Sequence, residues 1–297
     1  MQLSLDSTWG SELGLTECLS IVGQSPVVLI QISQTRGSTP RESGTWMLVT
    51  AELALNTIGG GHIEYQSIRI ARTLLNDSGK ESCYLRPAIE KDFKLGPSLG
   101  QCCGGAMRLS FTVLPYAPDR IDWLTERLGD PVGDCSPVAL IGGGHVGQAI
   151  VRALLPLPFL LTWIDSREGV FPQISHPRLT INPADDVIDG LDQVSAESSL
   201  LVMSFTHAED FEVIRCALLR RRKEPGCFPF IGLIGSKTKW GKFRHRLTER
   251  GHSEQELEAV TCPIGLTEII GKSPTIIAAS VAAQLLVRRS QSLSFQG

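Results

Sequence analysis

The run Val138-Ala139-Leu140-Ile141-Gly142-Gly143-Gly144-His145-Val146-Gly147 constrains the fold of this chain more than any other segment. Apolar residues, a glycine turn and the opening of an amphipathic stretch follow one another in the order strand, turn, helix. Gly142, Gly144 and Gly147 fit the G-x-G-x-x-G spacing. In that pattern the glycines allow a tight turn, the approach of a pyrophosphate and close packing of helix on strand. His145 stands at the helix start, where free backbone amides suit an anion. Asp165 closes the next apolar run, about twenty residues on, where a carboxylate can bind ribose hydroxyls. Arg167, just beyond it, is the alternative, a guanidinium that pairs with phosphate. The same turn can also serve packing alone, so the spacing argues fold first and ligand second.

The rest of the second half alternates in the same way. Val138 to Ile141, Leu160 to Ile164, Leu200 to Met203 and Pro229 to Ile234 read as strands. Helices are predicted at about His145 to Leu155, Ala208 to Arg222 and Thr238 to Arg250. Near-continuous apolar strands alternating with helices argue for a parallel sheet covered on both faces, a Rossmann-like, doubly wound α/β domain. Ser273 suits the cap and Pro274 the first turn of a last helix whose apolar residues run to Val287. The dense basic run Arg220-Arg221-Arg222-Lys223 ends a predicted helix and complements its terminal carbonyls.

In the first half, Pro26 to Ile32, Thr45 to Val49 and Arg108 to Leu114 read as strands. An amphipathic helix from Ile63 to Leu75 follows directly on Gly59-Gly60-Gly61-His62. Between Pro115 and Pro137, proline and glycine recur densely enough to mark a connector, with a short helix around Asp119 to Arg127. The expected organisation is an α/β cofactor-binding domain over 1–115, a linker over 116–136 and the Rossmann-like domain over 137–297.

Chemistry concentrates at a few loops. Cys102 and Cys103 lie between Gln101 and Gly104-Gly105, in a run that also holds Gly96, Pro97 and Gly100. Adjacent thiols among glycines fill a core badly and suit a turn that presents sulfur to an arriving soft partner. The plain alternative is a pair of buried small hydrophobes. Gly60, Gly61 and His62 open a helix that either holds an anion or simply turns the chain. Arg41, in Thr35-Arg36-Gly37-Ser38-Thr39-Pro40-Arg41-Glu42, can clamp a phosphate or pair with Glu42 in a solvated connection. Ser236 and Lys237 end a strand before a helix and offer a further anion site, but the upstream glycine of a P-loop is missing. No Ser/His/Asp order or paired-carboxylate arrangement stands out.

A net charge of -3 gives no electrostatic footprint for nucleic acid. No apolar run approaches the ~20 residues of a membrane span, and Met1 to Asp6 lacks the features of a signal peptide. The eight cysteines are scattered, without zinc spacing, and are expected to stay reduced in the cytoplasm.

Taken together, these segments resemble the XdhC/CoxI family, accessory proteins of xanthine dehydrogenase and related molybdenum hydroxylases. The resemblance rests on Gly37-Ser38-Thr39-Pro40-Arg41-Glu42, Gly59-Gly60-Gly61-His62-Ile63-Glu64 and Leu95 through Gly105. In the second half it rests on Gly142 to Gly147, Trp163-Ile164-Asp165-Ser166-Arg167-Glu168, Gly232-Leu233-Ile234-Gly235-Ser236-Lys237 and Cys262-Pro263-Ile264-Gly265-Leu266. It implies a protein that binds the molybdenum cofactor (molybdopterin), protects it while a cysteine desulfurase exchanges its oxo ligand for sulfur, and helps insert it into the molybdenum subunit of xanthine dehydrogenase. It implies cofactor contact at Cys102 and Cys103, with Cys103 as the metal ligand, and a homo-oligomer is expected. Two departures stand out. The family's Thr-His-x-His stretch is here Ser204-Phe205-Thr206-His207, and its proline and glycine after Cys-Pro-Ile-Gly-Leu are here Thr267 and Glu268. Two other readings compete: an NAD(P)-dependent oxidoreductase built on the second domain, and a nucleotide sensor that times cofactor release.

Overall fold

Along Val27 to Ile32 and Trp46 to Val49, successive residues point to opposite faces of a sheet, and their near-continuous burial shows that both faces are covered. In this computed structural model, residues 14–77, 88–95, 104–117, 119–128 and 135–294 are described. The chain divides into two compact units, Met1–Gly133 and Asp134–Gly297.

In order, the first unit contains α1 (Leu15–Val22), β1 (Val27–Arg36), β2 (Trp46–Val49), β3 (Ala54–Asn56), α2 (Gly61–Asp77), β4 (Ile89–Lys94), β5 (Ala106–Leu114) and α3 (Arg120–Leu128). Its strands form an antiparallel sheet in the order β3-β2-β1-β5-β4. Val28, Ile30 and Ile32 point to one face, where they pack with Met107, Leu109 and Phe111 under Ile63 and Ala71 of α2. Val27 and Leu29 point to the other, with Leu48 and Leu114, against Leu15 and Cys18 of α1 and Leu124 of α3. The stretch expected as a connector thus holds a helix packed in the first unit, and the division falls at Gly133.

The second unit contains β6 (Ser136–Ile141), α4 (His145–Leu154), β7 (Phe159–Asp165), β8 (Leu179–Pro183), α5 (Val187–Asp192), β9 (Ser199–Val202), α6 (His207–Lys223), β10 (Ile231–Leu233), α7 (Lys237–Glu249), α8 (Glu254–Leu257), β11 (Val260–Thr261) and α9 (Pro274–Ser294). All six strands are parallel, in the order β11-β10-β9-β6-β7-β8. The chain starts in the middle, winds out through β7 and β8, then crosses back to β9. This is the Rossmann order, with its switch point between β6 and β9. Ala139 and Ile141 face α5, α6 and α7, while Val138 and Leu140 face α4 and α9. Fully burying a side chain such as Ile141 or Phe159 contributes roughly 1.5–3 kcal/mol. No helix among the described residues is long and apolar enough to cross a membrane.

Candidate functional site

The turn after β6 sits at the switch point, and each of its glycines meets a different demand. Gly142 has φ +126°, and a Cβ there would overlap the Met203 carbonyl at the end of β9. A Cβ on Gly147 would overlap the Gly142 carbonyl oxygen, so α4 lies as close to the strand as backbone allows. Gly144 caps α4 without a side-chain hydrogen bond, and a Cβ there would meet nothing within 4 Å. Two of the three glycines are therefore packing requirements and the third faces open space, as the approach of a pyrophosphate needs. The buried indole of Trp163 donates to the Gly142 carbonyl at 2.9 Å and holds the turn from below. His145 is exposed at the first position of α4.

Asp165 ends β7 beside this turn, only 2% exposed. Its carboxylate is already engaged. The Gly143 amide donates to Oδ2 at 2.5 Å and the Arg167 amide to Oδ1 at 2.8 Å. The Arg167 guanidinium adds a bidentate pair at 2.9 and 2.7 Å. Burial pushes the Asp165 pKa up, but the hydrogen bonds from Arg167 and the two amides outweigh it and leave the carboxyl below its ordinary range. Arg167 also lies 4.6 Å from the centroid of the Phe205 ring, which is 66% exposed. Asp165 and Arg167, alternatives in the sequence, thus act as one unit that ties β7 to the glycine turn.

At the ends of β9 and β10 the structure assembles a cluster that sequence reasoning missed. Asp210 of α6, 2% exposed, accepts from the Ser204 amide and hydroxyl at 2.8 and 2.7 Å. Lys239 of α7 pairs with the same carboxylate and donates to the Ile234 carbonyl at 2.9 Å. Ser236 caps α7 by accepting from the Lys239 amide at 3.2 Å. Lys237, expected beside an anion, is exposed; Lys239 is the lysine turned inward. Helical spacing carries that signal, because Lys239 and Phe243 are four apart on one face. His207 is exposed at the first position of α6. Cys262 has its thiol pushed up to about 11 by burial, the wrong direction for a reactive thiolate.

In the first unit, three separated segments meet at one end of the sheet. Arg36 of β1 and Lys94 of β4 both pair with Ala106 of β5. The Leu95 amide donates to the Gly105 carbonyl at 2.8 Å. Gly105 itself lies against the turn after β1, where a Cβ would overlap the Ser38 carbonyl and come within 2.6 Å of that of Arg36. Gly59 packs on Pro40 and Arg41, with room for a Cβ only 2.8 Å from the proline ring. Gly60 and Gly61 both have positive φ, and the anion at their turn is the chain's own Glu64. Its Oε2 accepts from the Thr57 hydroxyl at 2.5 Å and from the Ile58 and Gly60 amides at 3.1 Å each. His62 is exposed and shares a 2.8 Å contact with the Gln66 amide. Glu64 thus serves the turn that the sequence leaves open between an anion site and a plain helix entry. Its position three residues after Gly61, at a helix start, is the signal that could have found it. Gly104 is exposed with open space beside it. Gln101, Cys102 and Cys103 lie outside the described residues. Among the described residues, no group of three His, Cys, Asp or Glu could hold a metal ion.

A family model for the XdhC Rossmann domain matches residues 138–285, and one for the XdhC and CoxI family matches residues 22–86. The chain is 28% identical over 274 residues to the uncharacterized protein YqeB of Escherichia coli (strain K12). That similarity covers 91% of this chain and 45% of YqeB, so the chain spans less than half the length of this relative. The fold is also that of the crystal structure of a xanthine dehydrogenase from Bacillus halodurans, with a TM-score of 0.71 at 17% identity over 94% of this chain and 96% of that one. With one match on the antiparallel unit and the other on the Rossmann unit, the chain belongs to the XdhC and CoxI family.

Proposed function

We propose that this protein is an accessory protein of a xanthine dehydrogenase, carrying the molybdenum cofactor while a cysteine desulfurase sulfurates it and then helping to insert it into the enzyme. One observation carries the reading: the segments around Gly37, Gly59 and Gly105, far apart in sequence, pack together at one end of a single sheet. Arg36 and Lys94 stand at that end by register, and Arg41 by its contact with Gly59. These cations suit the phosphate of a pterin. The described residues that flank the stretch with Cys102 and Cys103 in sequence, Leu95 and Gly104, both belong to this assembly. A thiolate from Cys103 is the soft donor that such a cofactor takes. Once bound, the cofactor would supply a thiophilic metal whose terminal ligand is exchanged for sulfur. The chain's own residues balance the phosphate charge and offer the thiolate.

The second unit's glycine turn fits a nucleotide in a regulatory part, with Gly144 as the point of approach. The test of the main reading is retention. Purified protein mixed with molybdopterin is passed through gel filtration, and molybdenum is measured by mass spectrometry. The expected result is retained molybdenum in the wild type and at least tenfold less in Cys103→Ala. No retained molybdenum in the wild type sinks the carrier reading; full retention in Cys103→Ala sinks the cysteine assignment.

A further inference from the structure

The last helix of the second unit lacks charge on every side for most of its length. From Ser273 to Val287, fifteen consecutive residues carry no acidic or basic group. Ala278, Val281, Ala282 and Leu285 of α9 are buried with Val138 and Leu140 of β6 and with α4. The opposite side is open. Ile276 is 39% exposed and Val287 49%, with Ala279 exposed and Ala283 half-buried between them. A helix that is apolar all round belongs between two partners, and the sheet supplies only one.

Steps of three, four and four residues keep Ile276, Ala279, Ala283 and Val287 on one stripe of α9, about 16 Å long. Ile276 also borders a cleft with Ile269 and Ile270, so the apolar surface continues past the amino end of the helix. Ile270 is 91% exposed. Scattered exposed apolar residues are ordinary, but a run of this kind marks a protein contact.

The partner that fits this stripe is a second copy of it. Its side chains run large, small, small, large, and the order reads alike from either end. Around a two-fold axis level with Val281 and Ala282, Ile276 of each chain meets the partner's Val287, and the two Ala279–Ala283 stretches face each other. The alanines let the backbones approach, while the larger side chains close both ends. Such self-complementarity is what an isologous contact requires.

Electrostatics select the antiparallel sense. In a parallel pair Lys272, just ahead of the helix, would meet its own copy. In an antiparallel pair the two lysines stand about 28 Å apart along the axis. Each then lies beside the last turn of the partner's helix, where the carbonyls carry the negative end of the dipole. Arg288, the first charge after the stripe, is turned back on its own unit. Its guanidinium donates to the Pro229 carbonyl at 2.9 Å and lies 4.6 Å from the centroid of the Phe230 ring.

Area sets the strength of the pair. The 21 residues of α9 span about 32 Å, and a strip about 10 Å wide on each copy buries on the order of 600 Å² in total. Even with the loop isoleucines added, this stays below the ~1,200 Å² of a stable complex and suits a reversible dimer.

We propose that α9 is the self-association face of this protein, pairing two copies antiparallel through Ile276, Ala279, Ala283 and Val287. The full-length protein, kept reduced, is followed by sedimentation velocity from about 2 to about 200 µM, a range that brackets a weak dimer. The mean mass is expected to rise from 32.3 kDa towards twice that value. Ile276→Lys and Val287→Glu each change an exposed side chain, so each should weaken dimerisation at least tenfold with an unchanged circular dichroism spectrum. Mixed in equal amounts, the two variants should recover most of the loss. Only an antiparallel pair sets the new lysine of one against the new glutamate of the other and keeps Ile276 against Val287 at the far end. A wild type that stays monomeric throughout overturns the proposal and leaves the face to a different partner. Variants that dimerise as well as wild type overturn it too, and a mixture without recovery overturns the antiparallel pairing. If Ile276→Lys does not fold, Val287→Glu alone decides whether this face associates. The cofactor enters none of these measurements, so their outcome is independent of the carrier reading.

Discussion

Gly142, Gly144 and Gly147 are chemically identical, yet their surroundings assign them separate costs. Gly147→Ala drives a methyl into the Gly142 carbonyl, a backbone atom that cannot step aside. The expected loss is about 3 kcal/mol, at the upper end of overpacking. Gly144→Ala meets open space at φ -68°, so only the poorer N-cap matters, at less than about 1 kcal/mol. Urea unfolding of the two variants checks this, and equal losses would show that Gly144 is a packing residue like its neighbours. The spacing of the glycines made this turn legible in the sequence. It did not show that the Asp165 carboxylate is taken up by Gly143 and Arg167, because that depends on where β7 ends relative to the turn. Nor did it show Glu64 beneath Gly60, since a carboxylate that serves its own turn looks in sequence like any exposed acid.

Elements were legible where hydrophobic pattern and length agreed. β6, β7, β9 and helices α4, α6 and α7 are close to their expected bounds, and α9 starts where expected but runs past Val287 to Ser294, because buried parallel strands and long amphipathic helices carry strong periodic signals. β3, β4, β8 and β11 were not anticipated. They are edge strands, short or polar; β4, Ile-Glu-Lys-Asp-Phe-Lys, buries only Phe93 and carries its charges as edge strands do. The joint between α6 and α7 was equally hidden, since Asp210 and Lys239 meet only once both helices have docked. That joint has a definite expected strength. Lys239→Met leaves Asp210 buried with only Ser204 as partner and should cost about 3–5 kcal/mol, while adding Asp210→Leu should recover most of it. Urea midpoints of the single and double variants decide the matter. A single variant within about 1 kcal/mol of wild type would mean that the pair does not hold the helices together.

At the scale of the whole molecule, the two units should answer acid differently, and the reason lies in which carboxylates each one holds. In the first unit Asp92 is lowered by its hydrogen bonds from Arg108, but the pair is exposed on an edge strand, where such pairs contribute little. In the second unit, Asp165 is held low inside the sheet edge, and Glu256 is lowered to about 2, chiefly by the hydrogen bonds from Arg222 and then by Ser253. A carboxylate whose folded pKa lies below its unfolded one lends full stability above the unfolded value and loses it as pH falls through the folded one. For Glu256 that window runs from 4.5 down to about 2. His252 adds to the same trend from a higher pH. Burial lowers its pKa, its ring lies 3.9 Å from Glu256, and its neutral form must take a proton against that burial once pH drops below 6.5. Both groups sit at the start of α8, where Ser253 and Glu256 form a reciprocal cap clasped to α6 through Arg222. Hydrogen exchange of the intact chain, read unit by unit from pH 7 to pH 2, should therefore show protection falling earlier and further in the second unit. Glu256→Gln should flatten the limb below pH 4.5, and His252→Gln the limb that begins near 6.5. Parallel loss in both units, or a profile indifferent to both variants, would mean that the α8 clasp does not govern the acid stability of this unit.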